Sequence, residues 1–147
     1  MVREATITDV ALLAELFDAY RVFYQKESNI KGAEDFLSKR LRNKESIIYI
    51  AFDGTKLVGF VQLYPLFSST RMKRLWLLND LFVDKDYRNK GTGELLLEKS
   101  KDFAVATHSC GLLLETAKTN ATANTLYIKN GWELDIEHNF YSWDSNK

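Results

Sequence analysis

Apolar positions change their spacing along this chain, and the changes separate helices from strands. Val2 to Ile7 reads as a short first strand. Val10, Leu13, Leu16, Phe17, Tyr20, Phe23 and Tyr24 then recur at helical spacing, with Thr8 or Asp9 placed to cap the helix. Gln25 to Gly32 is polar and reads as a loop pivoting on Gly32. A second helix is expected over Ala33 to Lys44, where Phe36, Leu37 and Leu41 share one side. Ser46 to Phe52 and Leu57 to Leu66 are β-branched and aromatic runs joined by Asp53-Gly54-Thr55-Lys56, a hairpin pattern. Pro65, the only proline, predicts a strand end or bulge. A polar connection from Phe67 to Lys73 leads into a strand over Arg74 to Val83.

The second half continues the alternation. A glycine-bearing turn precedes a third helix, with Leu95, Leu96, Phe103 and Ala106 along one side and its end at Thr107. Leu112 to Thr116 reads as a short buried strand. Ala121 to Lys129 reads as a helix capped by Asn120 and stopped at Asn130-Gly131. Trp132 to His138 and Phe140 to Trp143 suggest a closing hairpin around His138-Asn139. The order β-α-α-β-β-β-α-β-α-β-β suits an α/β fold, a mixed sheet with helices on both faces. No linker or repeat interrupts it, and 147 residues fit a single domain over 1–147.

The stretch with the most chemical content is the turn between the fourth strand and the third helix, Arg88-Asn89-Lys90-Gly91-Thr92-Gly93. A helix opens with backbone N–H groups that have no intrahelical partner, and the peptide dipoles add partial positive charge there. Gly91 and Gly93 allow close approach of a ligand, and Arg88 and Lys90 add formal charge. A phosphate-bearing ligand fits such a turn. Loop punctuation is the plain alternative for two glycines. Neither the P-loop string nor the Gly-x-Gly-x-x-Gly dinucleotide string occurs.

Composition narrows the partners. Twenty basic side chains balance twenty acidic ones, which disfavours broad binding to nucleic acid. Apolar runs fall short of a membrane span, and the start lacks a signal-peptide core, so no membrane partner is expected. Cys110 is the only cysteine, and no Cys/His spacing suggests a metal. A reducing cytoplasm is the expected setting.

Two motifs carry a resemblance. Val83 followed by Arg88-x-x-Gly91-x-Gly93 resembles the acetyl-CoA site of the GNAT N-acetyltransferases. Asn120-x-x-Ala123-x-x-Leu126-Tyr127-x-Lys129-x-Gly131-Trp132 resembles that family's later motif, in the right order. The resemblance implies a mostly antiparallel sheet with a splayed parallel pair. It implies acetyl-CoA as co-substrate, no metal, and an amine acceptor that is a small molecule or peptide, with a homodimer common among members. Leu81, Phe82 and Val83 would bond the pantetheine arm, Arg88 to Gly93 (including Asn89, Lys90 and Thr92) the pyrophosphate, and Asn120 the arm again. Tyr127 would donate a proton to the leaving thiolate, since an ordinary phenol, with a pKa near ~10, is protonated at neutral pH.

The general base is harder to place. Leu78-Asn79-Asp80-Leu81-Phe82-Val83 resembles the polyamine acetyltransferase segment Leu-Glu-Asp-Phe-Phe-Val, but Asn79 stands where that segment has its glutamate. An amide does not take up a proton usefully at neutral pH. Asp80 is the adjacent carboxylate, although successive strand residues face opposite sides. Glu115 on the next strand and removal through ordered water are the other routes. Tyr20, Tyr24, Asn79 and Glu115 are candidate acceptor contacts, with core packing the plain alternative for the tyrosines. The expected function is acetyl transfer from acetyl-CoA to a primary amine of a polyamine, amino acid or protein. A different acyl-CoA donor, or a non-catalytic CoA-binding module, is the alternative.

Overall fold

A computed structural model describes residues 1–146, in two compact units, Met1–Glu115 and Thr116–Lys147. The first unit is built on a five-stranded sheet in the order β1 (Val2–Glu4), β2 (Ile47–Asp53), β3 (Lys56–Ser68), β4 (Lys73–Val83), β5 (Leu112–Leu113). Pairing is antiparallel from β1 to β4 and parallel between β4 and β5. Three helices accompany it: α1 (Val10–Phe23), α2 (Ile30–Arg42) and α3 (Thr92–Ala106).

Alternation along the strands sorts the helices to the two faces. Ile48, Ile50 and Phe60 point to the side where Leu13, Ala14, Phe17 and Leu37 of α1 and α2 complete the core. Burial of such a side chain stabilises the fold by about 1.5–3 kcal/mol each. Tyr49 and Trp76 point the other way and meet Phe103 of α3, at ring separations of 5.9 and 4.8 Å. Gly59 lets α3 settle closely on that face: a Cβ there would lie 3.2 Å from Leu96 Cδ1 and 3.3 Å from Thr92 Cγ2.

Four local features differ from the sequence reading. Gly32 is no loop pivot but lies in the first turn of α2, because Asn29 accepts a bond from its amide at 2.9 Å and starts the helix three residues early. Asp9 precedes α1, but its carboxylate is taken by Arg3 at 2.8 and 2.9 Å and by the Thr6 amide at 2.8 Å, so it makes no cap bond to α1. Pro65 lies inside β3 opposite Trp76. This is tolerated because β2 pairing ends at Leu63, so no ladder bond is asked of its nitrogen on that side. The strand expected to be buried over Leu112 to Thr116 is only β5, pairing Trp76↔Leu112 and Leu77↔Leu113, and Leu113 is exposed.

The second unit contains α4 (Ala121–Lys129), with Asn120 Oδ1 accepting from the Ala123 amide at 3.1 Å as its cap. The expected closing hairpin is absent: 132–143 contains no strand. Asp135 accepts from the amides of Glu137 and His138 at 2.9 and 3.1 Å, which folds the chain into a turn where Ile136 would have continued a strand. Leu134, Ile136, Phe140, Tyr141 and Trp143 are all exposed.

Candidate active site

β4 organises the site. Its register against β3 slips once, so that Leu63 faces Leu78 while Gln62 faces Asp80, and Asn79 is the extra residue of a bulge. Leu78 and Asp80, two residues apart, therefore belong to opposite faces. Leu78 joins the α3 side with Leu63, and Asp80 joins the α1 side with Gln62.

Asp80 is buried, 5% exposed, and its two oxygens accept three bonds. Tyr20 Oη donates to Oδ1 at 2.8 Å, Asn79 Nδ2 to the same oxygen at 3.0 Å, and Gln62 Nε2 to Oδ2 at 2.8 Å. Asn79 itself is exposed. The bulge thus lets neighbouring side chains at 79 and 80 bond each other, which plain strand alternation would forbid. Aromatic rings wall this cluster. Tyr20 lies 5.2 Å from Tyr24, 5.5 Å from Phe60 and 5.7 Å from Phe82, centroid to centroid. Gln62 is fully buried, and among the described residues its Oε1 has no hydrogen-bond partner. Two steps further along β3, on the same face, the half-buried phenol of Tyr64 is pushed up to about 12, by burial first and by the charge of Asp80 second.

The opposite edge of β4 is open within the first unit. β5 pairs only as far as Leu77, so from Leu78 to Val83 that edge carries no ladder bond to β5, and the two parallel strands are splayed. Leu81, Phe82 and Val83 lie on the open stretch. At its end, Asp84 Oδ1 accepts from the Asp86 amide at 3.0 Å and bends the chain into the turn. Arg88 is pinned there: its Nε donates to the Val83 carbonyl at 2.9 Å, and its guanidinium lies 5.3 Å from the Phe82 ring and 5.5 Å from that of Phe23. Asn89 and Gly91 both take positive φ, 61° and 83°. Gly91 starts α3 with no side-chain cap, and a Cβ at Gly91 would meet nothing within 4 Å. The ammonium of Lys90 sits 5.1 Å from the Tyr87 ring. The open strand edge thus leads, through a short 3-10 turn at Lys85–Tyr87, to a helix start at Gly91 that has no side-chain cap.

The structure brings Tyr20, Tyr24, Asn79 and Asp80 into one cluster, and gathers Arg88 to Gly93 at the start of α3. Glu115 is exposed, beyond the end of β5. Asn120 and Tyr127 belong to the second unit, where Tyr127 is half-buried with its ring 5.8 Å from that of Trp132. Gln62 escaped the sequence reading. Its signal was available as the single polar side chain inside the apolar run from Leu57 to Leu66. Among the described residues no group of three His, Cys, Asp or Glu side chains could hold a metal ion, and no helix is long and apolar enough to cross a membrane.

Comparison with known proteins agrees with this geometry. The sequence model of the acetyltransferase (GNAT) family matches residues 13–132. An uncharacterised N-acetyltransferase of Bacillus subtilis, YhfO, is 47% identical over 134 residues, covering 91% of this chain and 90% of that protein. The crystal structure of a probable acetyltransferase superposes with a TM-score of 0.93 at 38% identity, covering 98% of this chain and 97% of the other. A predicted acetyltransferase of Clostridium acetobutylicum, solved with acetyl-CoA, shares the fold at a TM-score of 0.77 and 16% identity, covering 97% and 95% of the two chains. The chain belongs to the acetyltransferase (GNAT) family and is an N-acetyltransferase.

Proposed function

We propose that this enzyme moves an acetyl group from acetyl-CoA directly onto a primary amine of a small molecule or peptide. The observation that supports this most is the open β4 edge from Leu78 to Val83 leading into the uncapped start of α3 at Gly91. That pairing of features fits acetyl-CoA, which supplies an activated thioester, an amide-bearing arm and a pyrophosphate. The backbone of Leu81 to Val83 would bond the arm, and the amides after Gly91, with Arg88 and Lys90, would take the phosphates. An amide on the open edge would also bond the thioester oxygen as negative charge develops on it.

In the transfer, the amine nitrogen forms a bond to the carbonyl carbon, the carbon–sulfur bond breaks, and the amine gives up a proton. Tyr127 is the acid that protonates the departing sulfur, and Asn120 adds a contact to the arm. Asp80 acts as a positioning group. Its oxygens are already engaged by Tyr20, Asn79 and Gln62, so it orders the α1 side of the site, while the amine loses its proton to water at exposed Asn79. The family match spans residues of both compact units, which supports one catalytic domain over 1–147. We read the enzyme as a cytoplasmic homodimer. The exposed apolar side chains of 134–143 support the pairing.

The test follows free thiol release from acetyl-CoA over polyamines, amino acids and basic peptides at mildly alkaline pH. Release with one amine class, lost in Gly91→Asp, is expected. Tight acetyl-CoA binding with no release across the panel would overturn the reading of the acceptor, and absence of binding would overturn the donor.

A further inference from the structure

Beside the Asp80 cluster, a shallow, solvent-open cleft of about 660 Å³ lies between α2 and β3, lined by Phe36, Arg40, Lys44, Glu45, Tyr64 and Pro65. Its charge is lopsided, two cations to one carboxylate. Arg40 is preorganised. Its guanidinium lies 4.5 Å from the Phe36 ring, and its Nε donates to Glu45 Oε1 at 3.1 Å. Among the described residues the two terminal nitrogens of Arg40 have no hydrogen-bond partner, and Lys44 makes no ion pair. Lys44 follows α2 with φ at 53°, a left-handed conformation that turns the chain back just before Glu45.

The cleft is placed to read the acceptor. Tyr64 shares its sheet face with Gln62 and lies across from Leu77, two residues before the bulge at Asn79. Two strand residues span roughly 7 Å, so Leu77, the ladder partner of Tyr64, lies about that far along β4 from Asn79. The walls between are Phe36, Pro65 and the Tyr64 ring, suited to an aliphatic or aromatic stem. A fixed guanidinium with free N–H groups, a second cation and a protonated phenol together recognise a carboxylate. The same charges disfavour a polyamine, whose second ammonium would sit against Arg40 and Lys44.

Resting on the acetyl-transfer reading above, we infer that the Arg40–Lys44–Tyr64 cleft is a carboxylate subsite, and that the preferred acceptors are amines carrying a carboxylate. The occupant is an amino-acid-type small molecule, with its amine at Asn79 and its carboxylate on Arg40.

Matched acceptor pairs test this: lysine against cadaverine, ornithine against putrescine, 6-aminohexanoate against pentylamine. Members of each pair differ by one carboxylate. At least one pair should favour the carboxylated member about tenfold or more in kcat/KM. Arg40→Gln should collapse that ratio toward one, through KM for the carboxylated member. Lys44→Gln, which leaves the Arg40–Glu45 bridge intact, should reduce the ratio by a smaller factor. Titration calorimetry of the six amines with CoA present gives a readout independent of turnover. Arg40-dependent binding of a carboxylated amine without any thiol release would retain the subsite and reject the acetyl-transfer reading. Release with plain amines at equal or higher kcat/KM would retain that reading and overturn the subsite. So would equal losses on both members of every pair in Arg40→Gln, or no preferential binding of any carboxylated member.

Discussion

The hydroxyl of Tyr20 donates to Asp80 Oδ1 at 2.8 Å, across sixty residues of sequence, and ties α1 to the bulge of β4. The bond joins a helix side chain that is partly packed on the core to a carboxylate that is 5% exposed. Removing the donor leaves a buried oxygen with one bond fewer. Tyr20→Phe should lower stability by about 1–3 kcal/mol, read as a downward shift of the denaturation midpoint at unchanged slope. Acetyl-CoA binding should persist, because the phenyl ring that remains keeps the packing on Phe82, the ring against which Arg88 lies.

Asp80→Asn should cost more in order than in protonation chemistry. In the substituted amide one carboxylate oxygen becomes an NH₂ group, which faces either Gln62 Nε2 or the Asn79 and Tyr20 donors, so the bonds on that side must rearrange. If Asp80 positions the site, the pH at which kcat/KM is half-maximal stays where it is in the parent while the amplitude falls. A loss of the alkaline rise itself would identify Asp80 as the proton acceptor.

Tyr127→Phe removes the proposed acid and leaves the Tyr127–Trp132 ring packing in place. A drop of roughly 10²–10⁴ in kcat is expected, the usual contribution of a general acid, with acetyl-CoA affinity measured by calorimetry unchanged. An unaltered kcat would remove Tyr127 from the chemistry.

Asn79→Glu restores a carboxylate at the exposed bulge position, next to Asp80. The charge of Asp80, held by the bonds from Tyr20 and Gln62, opposes ionisation of a second carboxylate beside it and so raises the pKa of the introduced group, toward the range useful for a base. The rate should therefore rise, and the pH profile of kcat/KM should extend to lower pH. A variant that gains nothing would mean that proton removal does not limit turnover.

The Arg3–Asp9 pair carries an acid-stability prediction. Bonds from Arg3 are the largest influence on Asp9, which they hold down at about 2 against an ordinary 3.8. The folded-state value is depressed, so the stabilisation is complete above pH ~4 and is lost as pH falls toward ~2. Half-exposure of Arg3 weakens the pair in solvent. Asp9→Asn should lower stability modestly at neutral pH, and the parent and variant curves should converge as pH falls through about 2.

The elements of the first unit were legible because their spacing is a direct record of burial. Leu13, Phe17 and Leu37 repeat at helical intervals since one helix side faces the sheet. Ile48, Ile50 and Phe60 alternate since one strand face meets those helices. The glycine turn was legible for a local reason as well: Gly91 is needed where φ reaches 83°, at the N-cap of α3. Two boundaries were less readable. Asn29 captures α2 earlier than the apolar pattern begins, and Asp135 bends the chain where alternation alone suggested a strand. Both are side-chain-to-backbone bonds, which compete with periodicity and leave little trace in it.

What the amino-acid order determined by itself is the list of parts: a β-rich run, a glycine turn with flanking cations, a helix, and a later Asn–Tyr helix. Their adjacency in sequence suffices, because strand, turn and helix N-terminus are made by neighbouring residues. Tertiary structure alone decided the rest. The bulge at Asn79 depends on how β4 registers against β3, and it sends Asp80 to Tyr20 and Gln62, partners sixty and eighteen residues away. The cleft of Arg40, Lys44 and Tyr64 likewise needs α2 laid beside β3. Contacts between distant segments follow from packing and register, and a one-residue slip changes every face a strand presents.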